Sequence, residues 1–125
     1  MNKKKYTEDI SRDELTRPFL NKRVHIKIDR PLGSVHPKHP SLIYPINYGY
    51  IPNTVGGDGE EIDVYLMGVA ETVQEYDATV IGIIHRINDI EDKLVAAPDG
   101  YAFTKEEIKE AVIFQEQYYE FEIEV

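Results

Sequence analysis

The chain offers short apolar runs, none longer than eight residues, separated by turn signals, and a helical repeat only near its end. Val24-His25-Ile26-Lys27-Ile28 alternates apolar and polar side chains, the pattern of a half-buried strand. Leu42-Ile43-Tyr44 and Tyr48-Gly49-Tyr50-Ile51 read as strand pieces on either side of Pro45, which bends or bulges an edge. Ile62 to Val69, Thr79 to Ile84 and Leu94 to Ala97 supply three more strands, the second a near-continuous apolar run suited to a central position. Thr104 followed by Glu107 is a capping box, and Ile108, Ala111, Val112, Gln115, Tyr118 and Tyr119 recur at helical spacing behind it. Five or six short strands closed by one C-terminal helix predict a mainly β, α+β chain built as a small, OB-like five-stranded barrel.

At 125 residues the chain holds one core. We read residues 1–21 as a loosely held arm, with a short helix possible over Thr7 to Arg17, and 22–125 as the barrel domain. A composition 42% hydrophobic and 30% charged is globular, and the lack of cysteine excludes disulfides, thiolate metal sites and cysteine nucleophiles. No apolar run approaches the roughly 20 residues of a membrane span, so no membrane partner is expected, and the expected compartment is the cytoplasm. The net charge of −9 argues against a nucleic-acid partner. It is unevenly spread: residues 1–40 carry ten Lys/Arg and five Asp/Glu, whereas the remainder carries four and eighteen. An acidic site of this kind takes a small anion once metal ions reverse its sign.

The acidic loop Gly56-Gly57-Asp58-Gly59-Glu60-Glu61-Ile62-Asp63 places four carboxylates within six residues. If Ile62 and Val64 face the core, Asp63 points to the opposite face of its strand. Carboxylates this close repel unless cations neutralise them, and hard divalent cations with oxygen ligands, Mg²⁺ above all, are the natural filling. The plain alternative is a polar hairpin tip. A calcium loop fails on spacing, because neither the required glycine nor the distal glutamate is in register. A second acidic tip, Asn88-Asp89-Ile90-Glu91-Asp92-Lys93, lies between two strands and would form a multi-metal pocket if the two tips converged. His36 and His39 lack a second pair for zinc and suit a phosphate clamp or an interface better. Lys27 and Arg30 read as solvated side chains, and His25 and His85 as strand residues. Tyr48 and Tyr118 read equally as core residues with a wet hydroxyl.

Tyr44-Pro45-Ile46-Asn47-Tyr48-Gly49-Tyr50 followed by Asp58-Gly59-Glu60-Glu61-Ile62-Asp63 resembles the signature of the family I soluble inorganic pyrophosphatases, Tyr-Pro-x-Asn-Tyr-Gly-Tyr and then Asp-Gly-Asp-Pro-x-Asp. Glu91 to Pro98 resembles the family's later Asp-x-Lys-x-x-Ala-x-Pro, and Phe114 to Tyr119 its final helix with a phosphate-contacting tyrosine. The resemblance implies an OB-type barrel and hydrolysis of pyrophosphate to two phosphates. It also implies dependence on Mg²⁺, with Mn²⁺ as a substitute, and a homo-oligomer, a hexamer in bacterial members. By position it implies Asp58, Glu60, Asp63, Asp89 and Glu91 as metal ligands, with Glu60 and Asp63 as the catalytic carboxylates and Glu60 as the base. Tyr48, Lys93, Tyr118, Lys38 and His36 fall to the substrate phosphates. Glu60 and Glu61 stand where the family has aspartate and proline, Tyr118-Tyr119 replaces a Tyr-Lys pair, and the arginine preceding the tyrosine motif is replaced within residues 36–39. These departures leave open a barrel that binds another phosphorylated ligand with altered specificity or without hydrolysing it. An OB-type binder of single-stranded nucleic acid is a further alternative, set against the acidic charge.

Overall fold

The computed structural model describes residues 14–125. Most of the expected helix over Thr7 to Arg17, and most of the arm, lie outside the described residues. The described chain runs through β1 (Arg23–Arg30), β2 (Asn47–Ile51), β3 (Ile62–Leu66), β4 (Glu75–Arg86), β5 (Lys93–Ala97), the helix α1 (Lys105–Glu116) and β6 (Phe121–Glu124). The strands lie in the order β1-β2-β3-β5-β4, and β4 pairs back onto β1, which closes a five-stranded barrel. All pairings are antiparallel except β3 with β5, so the connection between those two must cross over, and β4 is what crosses. The expected OB-like barrel is the fold observed.

β4 is long enough to do three jobs. Its first residues pair with β1, its middle with β5, and its last four with β6. β6 was not anticipated. The helical spacing suggested that α1 continued through Tyr119, but it ends at Glu116, and the chain turns through Tyr118 and Tyr119 into the strand. The capping box forms as expected: the Glu107 amide donates to Thr104 Oγ1 at 3.1 Å and the Thr104 amide to Glu107 Oε1 at 2.9 Å. Leu42-Ile43-Tyr44 makes only a single bridge, between Val35 and Ile43, rather than a strand.

Strand alternation sorts the side chains into two clusters. Val24, Ile26, Ile62, Val64, Leu66, Val80, Leu94 and Ala96 fill the barrel interior, where Phe19 and Leu20 also pack. Tyr44, Tyr48, Tyr65, Ile84 and Val95 lie on the outer face and are covered by Ile108 and Val112 of α1. Register sets this second layer, because Tyr48 pairs with Tyr65, Tyr65 with Val95, and Ile84 with Lys93. Residues two positions along from these, namely Asp63 and Arg86, therefore share the outer face. Asn47 fixes the turn into β2: its Oδ1 accepts from the Leu32 amide and its Nδ2 donates to the Glu71 carbonyl, both at 2.9 Å. At Gly49 a Cβ would stand 1.9 Å from the Lys27 carbonyl oxygen, so only glycine lets β1 and β2 approach there.

On the barrel exterior, His25 lies between two carboxylates, with Nδ1 2.6 Å from Asp77 and Nε2 2.7 Å from Glu75. The Asp77 and then the Glu75 hydrogen bonds raise its pKa above the ordinary 6.5. A raised folded-state pKa means the protonated ring stabilises the fold fully below about pH 6.5, and the benefit fades as pH rises through the higher folded value. Wild type is therefore expected to melt higher than His25→Asn at pH 6, with the gap closing at higher pH and in high salt, because the site is exposed. Thermal melts of both proteins across that range check this.

Candidate active site

A cleft of about 430 Å³ opens on the outer face of the barrel, beside the C-terminal end of α1. The strands give it Tyr48, Asp63, Arg86 and Lys93. The end of β1 and the loop after it give Asp29, Arg30, His36 and His39, and the tip before β5 gives Glu91. Gln115, Tyr118 and Tyr119 close it from the end of the helix and the turn beyond. The wall thus combines three carboxylates with three permanent cations.

Lys93 Nζ donates to Asp63 Oδ2 at 2.5 Å and to Glu91 Oε1 at 2.6 Å. The same ammonium stands 5.7 Å from the centre of the Tyr48 ring. Burial pushes the Glu91 carboxyl above its ordinary range against the pull of Lys93. Burial, and then the charge of Asp63, push the Tyr48 phenol well above 10, so Tyr48 remains a hydroxyl donor at any physiological pH. Burial, and then the charge of Arg30, lower the His36 pKa below the ordinary 6.5, which favours the neutral imidazole.

The two acidic tips meet. A Cβ on Gly57 would stand 2.0 Å from the Ile90 carbonyl oxygen, so the glycine is what lets the loops touch. Across that contact Asp58 helps to raise the Glu91 pKa, although Asp58 itself is exposed and does not line the cleft. Asp63 and Glu91 are brought together by their shared partner Lys93. Glu60 is exposed on the loop and does not line the cleft, while its amide donates to Asp58 Oδ1 at 3.0 Å. Asp89 turns to Arg86 instead, accepting from Nη1 at 2.9 Å. Lys38 is exposed outside the cleft, with its amide on His36 Nδ1, and Tyr118 stands on the rim.

Among the described residues, no three His, Asp or Glu side chains surround one point in this arrangement. The chemistry of the donors nevertheless fits a hard divalent cation. All are carboxylate oxygens, and the place between Asp63 and Glu91 already takes a positive charge, the Lys93 ammonium.

Arg30 is not the solvated side chain the sequence suggested. It lines the cleft and donates from Nη1 to the Tyr44 hydroxyl at 2.8 Å, which in turn donates to Gln115 Oε1 at 2.7 Å. Arg86 and Glu116 gave no sequence signal. They lie thirty residues apart on elements that meet only in the fold, and Arg86 Nε and Nη2 donate to the two Glu116 oxygens at 2.9 and 2.7 Å. Asp29 was also missed, since one carboxylate at a strand end looks like any solvated residue.

Compared with known proteins, residues 7–120 match the family model for inorganic pyrophosphatase. The chain belongs to the inorganic pyrophosphatase family. A curated inorganic pyrophosphatase of Saccharolobus solfataricus is 40% identical over 79 residues, which cover 58% of this chain and 41% of that protein. Another, of Haemophilus influenzae, is 40% identical over 58 residues, 43% of this chain and 33% of that one. The matched segments thus span well under half the length of these relatives. In fold, the chain resembles the crystal structure of the Ehrlichia chaffeensis inorganic pyrophosphatase, with a TM-score of 0.65 at 22% identity over 84% of this chain and 86% of the other. Membership of the family carries with it a general dependence on divalent metal ions. No helix of the described residues is long and apolar enough to cross a membrane.

Proposed function

We propose that this family member hydrolyses inorganic pyrophosphate to two phosphates in the cytoplasm, with Mg²⁺ as the preferred metal and Mn²⁺ as a substitute. The observation that carries the reading is the mixed wall of the cleft, which brings Asp63 and Glu91 together with Arg30, Lys93 and Tyr48. A polyanionic substrate and a divalent cation need both signs in one place. Asp58, Asp63 and Glu91 would hold the metal, which when bound polarises phosphoryl oxygens and acidifies water. Lys93 lies within reach of both carboxylates and the Tyr48 ring, so a rotation of its stem carries the ammonium from Asp63 and Glu91 toward a phosphate. Tyr48 donates a hydrogen bond without losing its proton. Arg30, steered by Tyr44, brings a further cation to the phosphate side of the cleft, and His36 offers a neutral ring nitrogen on the same side.

Phosphate release from pyrophosphate and from a panel of other phosphoanhydrides and phosphate esters, with Mg²⁺, with Mn²⁺ and without metal, tests the reading. Metal-dependent release from pyrophosphate is expected. Release only from another substrate, or binding without release, would favour the altered-specificity alternative, to which the exposed Glu60 and the Lys93 plug lend support. A nucleic-acid reading finds no platform in Tyr44, Tyr48 and Tyr65, which are buried under the helix rather than free to stack bases.

Glu60 is the proposed general base by its place in the acidic motif, although it is exposed on the loop before β3 and does not line the cleft. Glu60→Gln is expected to lower turnover by about 10²–10⁴-fold and to alter Mg²⁺ half-saturation less. Turnover equal to wild type would move the base to a carboxylate of the cleft. A homo-oligomer, hexameric as in bacterial members, is proposed from the exposed apolar side chains near the C-terminus, Tyr118 at 69% and Val125 at 56% exposure. Sedimentation at micromolar concentration is expected to show an assembly, and a monomer would refute it.

A further inference from the structure

Arg86 ends β4 on the face that carries the cleft, and it is one of the residues lining that cleft. Among the described residues, three groups hold it most closely. Glu116 takes Nε and Nη2 on its two oxygens, Asp89 takes Nη1, and the ring of Tyr119 lies 3.7 Å from the guanidinium carbon. Glu91 Oε1, one of the carboxylates proposed for metal, stands 3.7 Å from Nη1.

The pair with Glu116 is buried at the edge of the cleft. Glu116 is 0% exposed and does not line the cleft, and the Tyr65 hydroxyl donates to its Oε2 at 2.6 Å. Both side chains are buried, Arg86 with 3% of its surface exposed, and only Arg86 borders the cleft. A buried ion pair stabilises a fold little more than apolar residues of the same size would, because the loss of hydration on both ions offsets their attraction. Filling space therefore does not account for it. What the pair does achieve is to fix the plane of a charge that never titrates and to place it at the wall of an anion-sized cleft. The third partner, Asp89, sits differently: it belongs to the tip before β5, and a quarter of its side chain is exposed. Its carboxylate presents to Arg86 the same oxygen geometry that a phosphate would.

We infer that Arg86 is an anion anchor of the cleft, taking a phosphoryl oxygen of the substrate or of product phosphate in the place that the Asp89 carboxylate holds in its absence. Glu116 and Tyr119 are positioning residues for it. The inference rests on the cleft being the phosphate site proposed above, but not on hydrolysis taking place there.

Calorimetric titration of inorganic phosphate in saturating Mg²⁺ tests it, with melting curves alongside. Asp89→Asn removes the competing carboxylate and is expected to bind phosphate about three- to tenfold more tightly. Arg86→Lys keeps a charge but loses the planar fork, and is expected to bind at least about tenfold more weakly. The double variant Arg86→Met/Glu116→Leu removes both ions together, so it is expected to melt near wild type yet lose phosphate affinity as Arg86→Lys does. If the double variant does not fold, Asp89→Asn and Arg86→Lys decide the matter alone. Asp89→Asn binding no tighter than wild type, or Arg86→Lys binding as wild type does, overturns the inference. Phosphate bound through Arg86 by a protein that releases none from pyrophosphate leaves the anchor standing and removes the hydrolytic reading. Pyrophosphate hydrolysis with an unchanged KM in Arg86→Lys does the reverse.

Discussion

Asp63→Asn is expected to cut phosphate release from pyrophosphate by about 10²-fold or more and to raise the Mg²⁺ concentration needed for half-maximal rate. Asp63 lies on β3 between Ile62 and Val64, both in the barrel interior, so its Cα is fixed by two buried neighbours and by the ladder to Tyr50. A ligand on so rigid an element is placed better than one on the loop before it. The substitution preserves shape and hydrogen-bonding capacity but removes the charge that pairs with Lys93 and that would pair with metal. Because more than a quarter of the Asp63 side chain is exposed and Lys93 keeps Glu91, the melting temperature should move little. Phosphate release over a Mg²⁺ titration, with circular-dichroism melts of both proteins, is the measurement. A variant with wild-type rate and metal dependence would remove Asp63 from the site.

Glu116→Ala is expected to be the most destabilising single change among those considered, by about 3 kcal/mol or more, because it leaves the Arg86 guanidinium buried without its main counter-ion. For a domain of this size that is a fall of roughly 12 °C in melting temperature. Three hydrogen bonds go at once, two from Arg86 and one from the Tyr65 hydroxyl. The truncation also opens space beneath α1, next to Phe114 and Tyr65. Glu116→Gln keeps the size and most of the hydrogen bonds and should cost less. Differential scanning calorimetry of the two variants checks the order; equal melting of Glu116→Ala and wild type would show that Arg86 is compensated elsewhere. Either result bears on the cleft, since Glu116 is what orients Arg86 at its wall.

Period-two alternation is local, so the chain itself showed that Ile62 and Val64 would turn inward and Asp63 outward, and that Thr104 and Glu107 would start a helix. Glycine and carboxylate spacing within residues 56–63, with the tyrosine motif before it, was enough to point to the family and to the barrel. The role of Asn47 in that motif was not legible. Its buried amide ties Leu32 to Glu71, two backbone groups from separate loops.

What the sequence determined by itself is the set of strands, the helix start, the acidic tips and the chemistry they suit, because each depends on neighbours a few residues away. The tertiary structure decided which charges meet. Arg86 reaches Glu116 only because β4 runs far enough to carry it beneath the end of α1. Arg30 enters the cleft only because Tyr44, from a loop that failed to become a strand, stands at its side. Lys93 lies between Asp63 and Glu91 because β5 pairs parallel to β3, a long-range register that no local pattern encodes. An ion pair is set by position in space and by desolvation, and both become defined only once the barrel closes.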